Sequence, residues 1–211
     1  MPFAIALSLV GASIKLSAYA KYVFGIRAGT MRPNTATWTL WVFLSSLNSA
    51  SYLLASGDPY KSAVALAGTT GCVITFAYAL RRGSLRPLEG WDRVALAFGI
   101  LAGVAWIALR SAGVANLILQ AGFAISMIPT YRSLLADPDS EKPAPWLLMA
   151  AAYAVNACVV VLRWNGIWFA LAYPLLNMVT HAGVGLLSFA LLRRARPYPA
   201  HEHVAGRTPE A

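Results

Sequence analysis

Charge is what this sequence is short of. Only 12% of its residues are charged and 58% are hydrophobic, with a mean hydropathy of +0.59. An ordinary soluble domain carries about 25% charged residues, so a water-soluble globule is excluded. Disorder is excluded as well, because it needs low hydrophobicity and high net charge. Cysteine is scarce. Cys72 and Cys158 each sit inside an apolar run and belong to no CxxC or Cys/His cluster, so both read as small core residues. Acidic residues number eight, and none falls within an apolar run; Asp58 comes nearest. There is no GxSxG, HExxH or P-loop and no paired-carboxylate motif, so no enzyme is expected. No cofactor or metal is expected either, since His201 and His203 offer two ligands and no third.

Long apolar runs are abundant instead. A membrane-crossing helix needs about 20 mostly apolar residues, and seven such runs occur: 3–24, 36–56, 62–80, 94–109, 113–131, 146–162 and 167–192. The first has Lys15 inside it and no Lys or Arg before it, so it does not read as a cleavable signal peptide. The loops after runs one, three and five, with the C-terminal tail, hold Arg27, Arg32, Arg81, Arg82, Arg86, Arg93, Arg132, Lys142, Arg193, Arg194, Arg196 and Arg207. The other side holds only Lys61, Arg110 and Arg163. Positive-inside bias therefore predicts an outside N-terminus and a cytoplasmic C-terminus, in a multi-pass protein of a bacterial inner or plasma membrane. The net charge of +9 is spent on this asymmetry, so the expected partners are the bilayer and a small-molecule substrate. Nucleic acid is not expected, and homo-oligomerisation is left open.

The chain also repeats itself. Trp38 opens run two and Asn48 follows ten residues later; Trp146 opens run six and Asn156 follows ten residues later. Arg32-Pro33 precedes the first motif and Lys142-Pro143 the second, and runs three and seven both end in paired arginines, Arg81-Arg82 and Arg193-Arg194. These matches predict an all-α membrane protein of seven helices in a 3+1+3 plan. Residues 1–83 form one triple-helix unit, 84–110 a linker helix, 111–195 a second, parallel unit, and 196–211 a polar tail that reads as disordered.

This layout resembles the SWEET and PQ-loop (MtN3-saliva-like) transporters over residues 1–195. Pro129-Thr130 stands where that family has its Pro-Gln pair, Asn48, Tyr52 and Gly57 resemble its span-two pattern, and Pro174-Leu175-Leu176-Asn177 resembles the Pro-x-x-Asn of its last helix. Gly68, Thr69 and Thr70 occupy the neighbourhood of its span-three Asn. The resemblance implies a carrier working by alternating access, with Asn177 facing a sugar-like substrate.

Polar residues inside the runs supply the candidate site. Asn48, Asn156 and Asn177 would line one central cavity, with Tyr52, Thr69, His181 and Lys15 as further members; helix–helix hydrogen bonding is the competing reading for the amides. Lys15 would either snorkel to the interface or meet a substrate, and His181 either bonds a neighbouring helix or a ligand. Trp38 and Trp146 are belt anchors or an inner gate, and Pro33, Pro129, Pro143 and Pro145 cluster at the same level. With no carboxylate in a run to hold a coupling cation, the expected activity is passive transport of a small neutral polar solute. Vitamin or nucleoside carriers of the same plan, and a non-transporting cargo receptor, are the alternatives. A retinal protein is excluded by the lack of a lysine in the last run.

Overall fold

The computed structural model describes residues 2–31, 35–82 and 90–195. The predicted polar tail, Pro33 and position 84 lie outside these. The described residues are helical, with no strand among them. The helices are α1 (Pro2–Arg27), α2 (Thr35–Ser56), α3 (Pro59–Arg82), α4 (Trp91–Leu109), α5 (Ala112–Ser126), α6 (Ile128–Ala136), α7 (Pro143–Leu162) and α8 (Ala172–Ala195), the last preceded by a 3-10 turn, Trp168–Leu171.

Six segments are long and apolar enough to cross a membrane: α1, α3, α4, α5 with α6, α7, and the 3-10 turn with α8. This supports a multi-pass membrane protein. The α2 helix has 22 residues, but Ser45, Asn48, Ser49 and Ser51 lower its apolarity. All four are buried, so its polar face is turned into the bundle. Outward, the bundle shows apolar side chains such as Leu9, Ile74, Ile107, Val161 and Leu186, as lipid requires. Cys158 belongs to that outer face, correcting its assignment to the core; only Cys72 is buried.

Helix ends follow local chemistry. Gly57, at a φ of +62°, ends α2 by donating its N–H to Leu53 O at 3.0 Å, a conformation that glycine adopts at no steric cost. Ser111 Oγ accepts from Val114 N and starts α5. The run from 112 to 136 breaks at Met127, because Pro129 has no N–H to continue the ladder. The α4 helix begins earlier than the apolar run suggested, so Asp92 lies in its first turn and is buried. That corrects the expectation that no acidic residue lies within a spanning helix.

Packing follows a regular scheme. The α3 helix packs against both α1 and α2, and α8 against both α7 and α5. Between these sets, α1 meets α7 and α2 meets α5, while α4 lies against α5 and α2. Close approach is built in with small residues: a Cβ at Gly71 would stand 2.0 Å from Tyr19 Cδ2, and one at Gly11 would touch Val64 and Val155 at 3.0 and 3.1 Å.

Candidate functional site

The core holds an aromatic and amide chamber where α1, α2, α3, α5, α7 and α8 converge. It is a cavity of about 30 Å³, space for about two waters. Its wall includes Trp38, Trp41 and Asn48 of α2, Gly68 of α3, Tyr153 of α7, and Asn177 and His181 of α8.

Two of the three expected asparagines, Asn48 and Asn177, border the cavity. They belong to a network that sequence reading missed. Asn116 Nδ2 donates to Asn48 Oδ1 (3.0 Å) and to Ser51 Oγ (3.1 Å), and Gln120 Nε2 donates to Asn48 Oδ1 (2.9 Å). Asn177 Nδ2 donates to Gln120 Oε1 at 3.2 Å and to Tyr173 O at 2.9 Å. The chain of amides therefore ties α2 to α5 and α5 to α8. Asn116 and Gln120 escaped notice because the first repeat has no amide at the equivalent places. Their spacing of four, which sets both on one helix face, was the available signal.

Asn156, the repeat partner of Asn48, is different. It is buried on α7, yet neither Nδ2 nor Oδ1 has a hydrogen-bond partner. The two positions match in sequence and differ in chemistry: one amide is committed to the helices by hydrogen bonds, while the other stands near the Tyr52 hydroxyl without a well-formed bond. Thr69 is also committed, donating to Ser45 O at 2.8 Å and bonding Ser49 Oγ at 2.7 Å. Tyr52 lies outside the cavity wall, its hydroxyl donating to Ala170 O at 2.8 Å and its ring tilted against Tyr173. His181 Nδ1 bonds Asn177 O at 2.7 Å, and its ring stands between Trp146 and Tyr153.

Lys15 does not snorkel. It is fully buried, with Nζ 3.9 Å from the centre of the Tyr153 ring and 5.3 Å from that of Tyr19, and without a hydrogen-bond partner. Four turns of helix on its N-terminal side and three on its C-terminal side put either interface out of reach.

The candidate gate residues Trp38 and Trp146 are 2% and 1% exposed, which overturns the belt-anchor reading. With Tyr22 and Trp41 they form an aromatic plug in which Tyr22 lies 5.1 Å from Trp38 and 6.1 Å from Trp146, and Trp41 lies 5.0 and 6.0 Å from the same two rings. Beneath it sits Glu141, another residue sequence reading passed over, here as part of a charged loop. Its two carboxylate oxygens accept from Tyr22 Oη (2.8 Å) and Trp146 Nε1 (2.9 Å), and its backbone carbonyl accepts from Ser188 Oγ. Burial pushes the Glu141 carboxyl up to about 7, against the opposing pull of its two donors. Pro143 and Pro145 form the first turn of α7 that presents Trp146, and Pro129 starts α6.

The opposite end is held differently. Arg163 Nε donates to Asp58 Oδ2, Lys61 Nζ donates to Asn165 Oδ1 at 2.7 Å, and Asn165 Nδ2 donates to Ser56 O at 3.1 Å. Burial pushes the Asp58 carboxyl up, but the Arg163 guanidinium and the Tyr60 and Lys61 N–H groups outweigh it, and the net shift is downward. These bonds join the α2–α3 corner to the α7–α8 loop.

Among the described residues no group of three or more metal-ligating side chains occurs. Compared with known proteins, the chain matches no family model, no curated protein and no solved structure.

Proposed function

We propose that this protein is a membrane carrier of the SWEET-like 3+1+3 plan, moving a small polar organic solute by alternating access, with its N-terminus outside. The observation that carries this reading is the placement of the chamber. It lies between two latches, the Tyr22–Trp38–Trp41–Trp146–Glu141 plug at one end and the Asp58–Arg163 and Lys61–Asn165 pairs at the other. Both latches bridge the segment before α4 to the segment after it, so rocking one three-helix unit against the other would open one end while the other stays shut. The packing scheme supports two such units: α3 is central to the first and α8 to the second, and the α1–α7 and α2–α5 contacts are exchanged by a two-fold axis relating them.

Transport is passive in this reading, because no carboxylate is among the residues that line the cavity. Trp38 and Trp41 in the cavity wall also favour a second reading, a carrier for a flat heterocyclic solute of the vitamin or nucleoside kind, since aromatic walls stack on rings. Proteoliposomes loaded with buffer test both. Uptake of labelled sugars, vitamins, amino acids and small hydroxy or keto acids is followed with and without a pH gradient. Saturable uptake of one class assigns the substrate; no uptake of any class above empty liposomes overturns the carrier.

A further inference from the structure

Lys15, packed behind the Tyr153 face of the chamber wall, is a group that the amide network and the latches leave unexplained. Its ammonium is buried on α1 with no hydrogen-bond partner. The two ion pairs among the described residues, Arg163–Asp58 and Lys142–Asp139, involve other cations. What faces it from the packed helices is neutral or basic: Tyr19 on its own helix, Cys72 on α3, Tyr153 on α7, and His181 on α8. Removing an ammonium from water is costly even in real proteins. The face of Tyr153 returns only part of that cost, which leaves the charge under-compensated.

The geometry sets the ammonium directly behind the chamber wall. Its Cε lies 3.6 Å from where a Cβ would stand on Gly68, and Tyr173 Oη lies 4.0 Å from the same point. Gly68, Tyr153 and Tyr173 line the cavity while Lys15 itself does not, so a solute would meet the ammonium only once the two units rock apart. On α7, Asn156 follows Tyr153 by three residues on the same helix face and is likewise without a partner. Two adjacent helices thus hold an unpaired cation and an unpaired amide.

We propose that the chamber takes a small organic carboxylate that also carries a hydroxyl or keto oxygen, its carboxylate paired with Lys15 and its second oxygen with an amide. This narrows the solute class and rests on the carrier reading. Pairing with the ligand supplies the counter-charge that the helices withhold, and a carboxylate bonded to an ammonium is roughly twice as strong a partner as a neutral oxygen.

The test compares acids with their uncharged amides. Full-length protein in detergent is melted with lactate, lactamide, mandelate and mandelamide, and the same solutes, with erythritol, are followed into proteoliposomes. At least one acid should raise Tm and enter, with its amide bound more than about tenfold more weakly. Lys15→Met should erase the acid's advantage and leave the unliganded melt equal or higher, since it removes an uncompensated buried charge. Should Lys15→Met fail to fold, the acid–amide comparison on the unaltered protein still decides. Equal binding of acid and amide, or uptake of erythritol or an amide but of neither acid, overturns the carboxylate assignment and leaves the carrier standing. Absence of flux for every solute overturns the carrier reading itself.

Discussion

Asn48 and Asn156 show how much a single residue's surroundings decide. The repeat makes them equivalent, yet Asn48 Oδ1 accepts from Asn116 and Gln120 while Asn156 has no partner. Asn48→Ala should therefore cost about 1–2 kcal/mol, since it removes the acceptor for two amides that keep only their other bonds. Asn156→Ala should leave the thermal melt within about 0.5 kcal/mol of the unaltered protein and reduce uptake. Paired melting and uptake measurements check both, and comparable destabilisation by the two variants would show that Asn156 is structural. Gly71 is the other test at this scale. A methyl there meets the Tyr19 ring at 2.0 Å, and that ring is hemmed in by Trp38 and by its hydroxyl's contact with Cys72 Sγ. Gly71→Ala should destabilise by about 1–3 kcal/mol through overpacking, read as a lower Tm in detergent.

Among the elements, the loop before α7 carries the most consequence. Glu141 holds Tyr22 of α1 to Trp146 of α7, and its carboxyl is raised from 4.5 to about 7 by burial, its two donors pulling the other way. For a carboxyl raised on folding, the folded state holds the proton more tightly than the unfolded chain. Stability from this link is then fully present below pH 4.5 and is lost as pH climbs toward about 7. The melting midpoint should fall from about pH 5 to about pH 8, and Glu141→Gln, which cannot ionise, should flatten that slope. An unchanged slope in the variant would mean that another group carries the pH response. The Asp58–Arg163 pair has the opposite sign: its carboxyl is held below the ordinary value, so its contribution is present at neutral pH and disappears in acid.

At the scale of the whole molecule, two helix sets meet at a chamber, and in the carrier reading proposed above the energetics of transport follow from which groups face it. The buried acidic residues, Asp92 in the first turn of α4 and Glu141 just before α7, are not among the residues that line the cavity. Solute should therefore equilibrate across a proteoliposome membrane and not accumulate when a pH gradient is imposed. Uphill accumulation that vanishes in Glu141→Gln would identify the plug as a proton site and make the carrier coupled. Uphill accumulation that vanishes in His181→Ala would place the coupling in the chamber.

Composition and periodicity alone determined that this chain is helical and apolar, and they located most of its long helices to within a few residues, six segments being long and apolar enough to cross a membrane, because the demand to satisfy every backbone group in lipid leaves few alternatives to helices. Sequence also singled out Asn48, Asn177, Trp38 and Trp146, since a polar or bulky aromatic side chain inside an apolar run is conspicuous. It did not find Asn116, Gln120 or Glu141, whose roles arise only when α5 lies against α2 and the loop before α7 folds under Tyr22. Nor did it distinguish Asn48 from Asn156, or tell that Lys15 stays inside. Those outcomes depend on which atoms of other helices come within about 3 Å, and only the tertiary packing sets that distance.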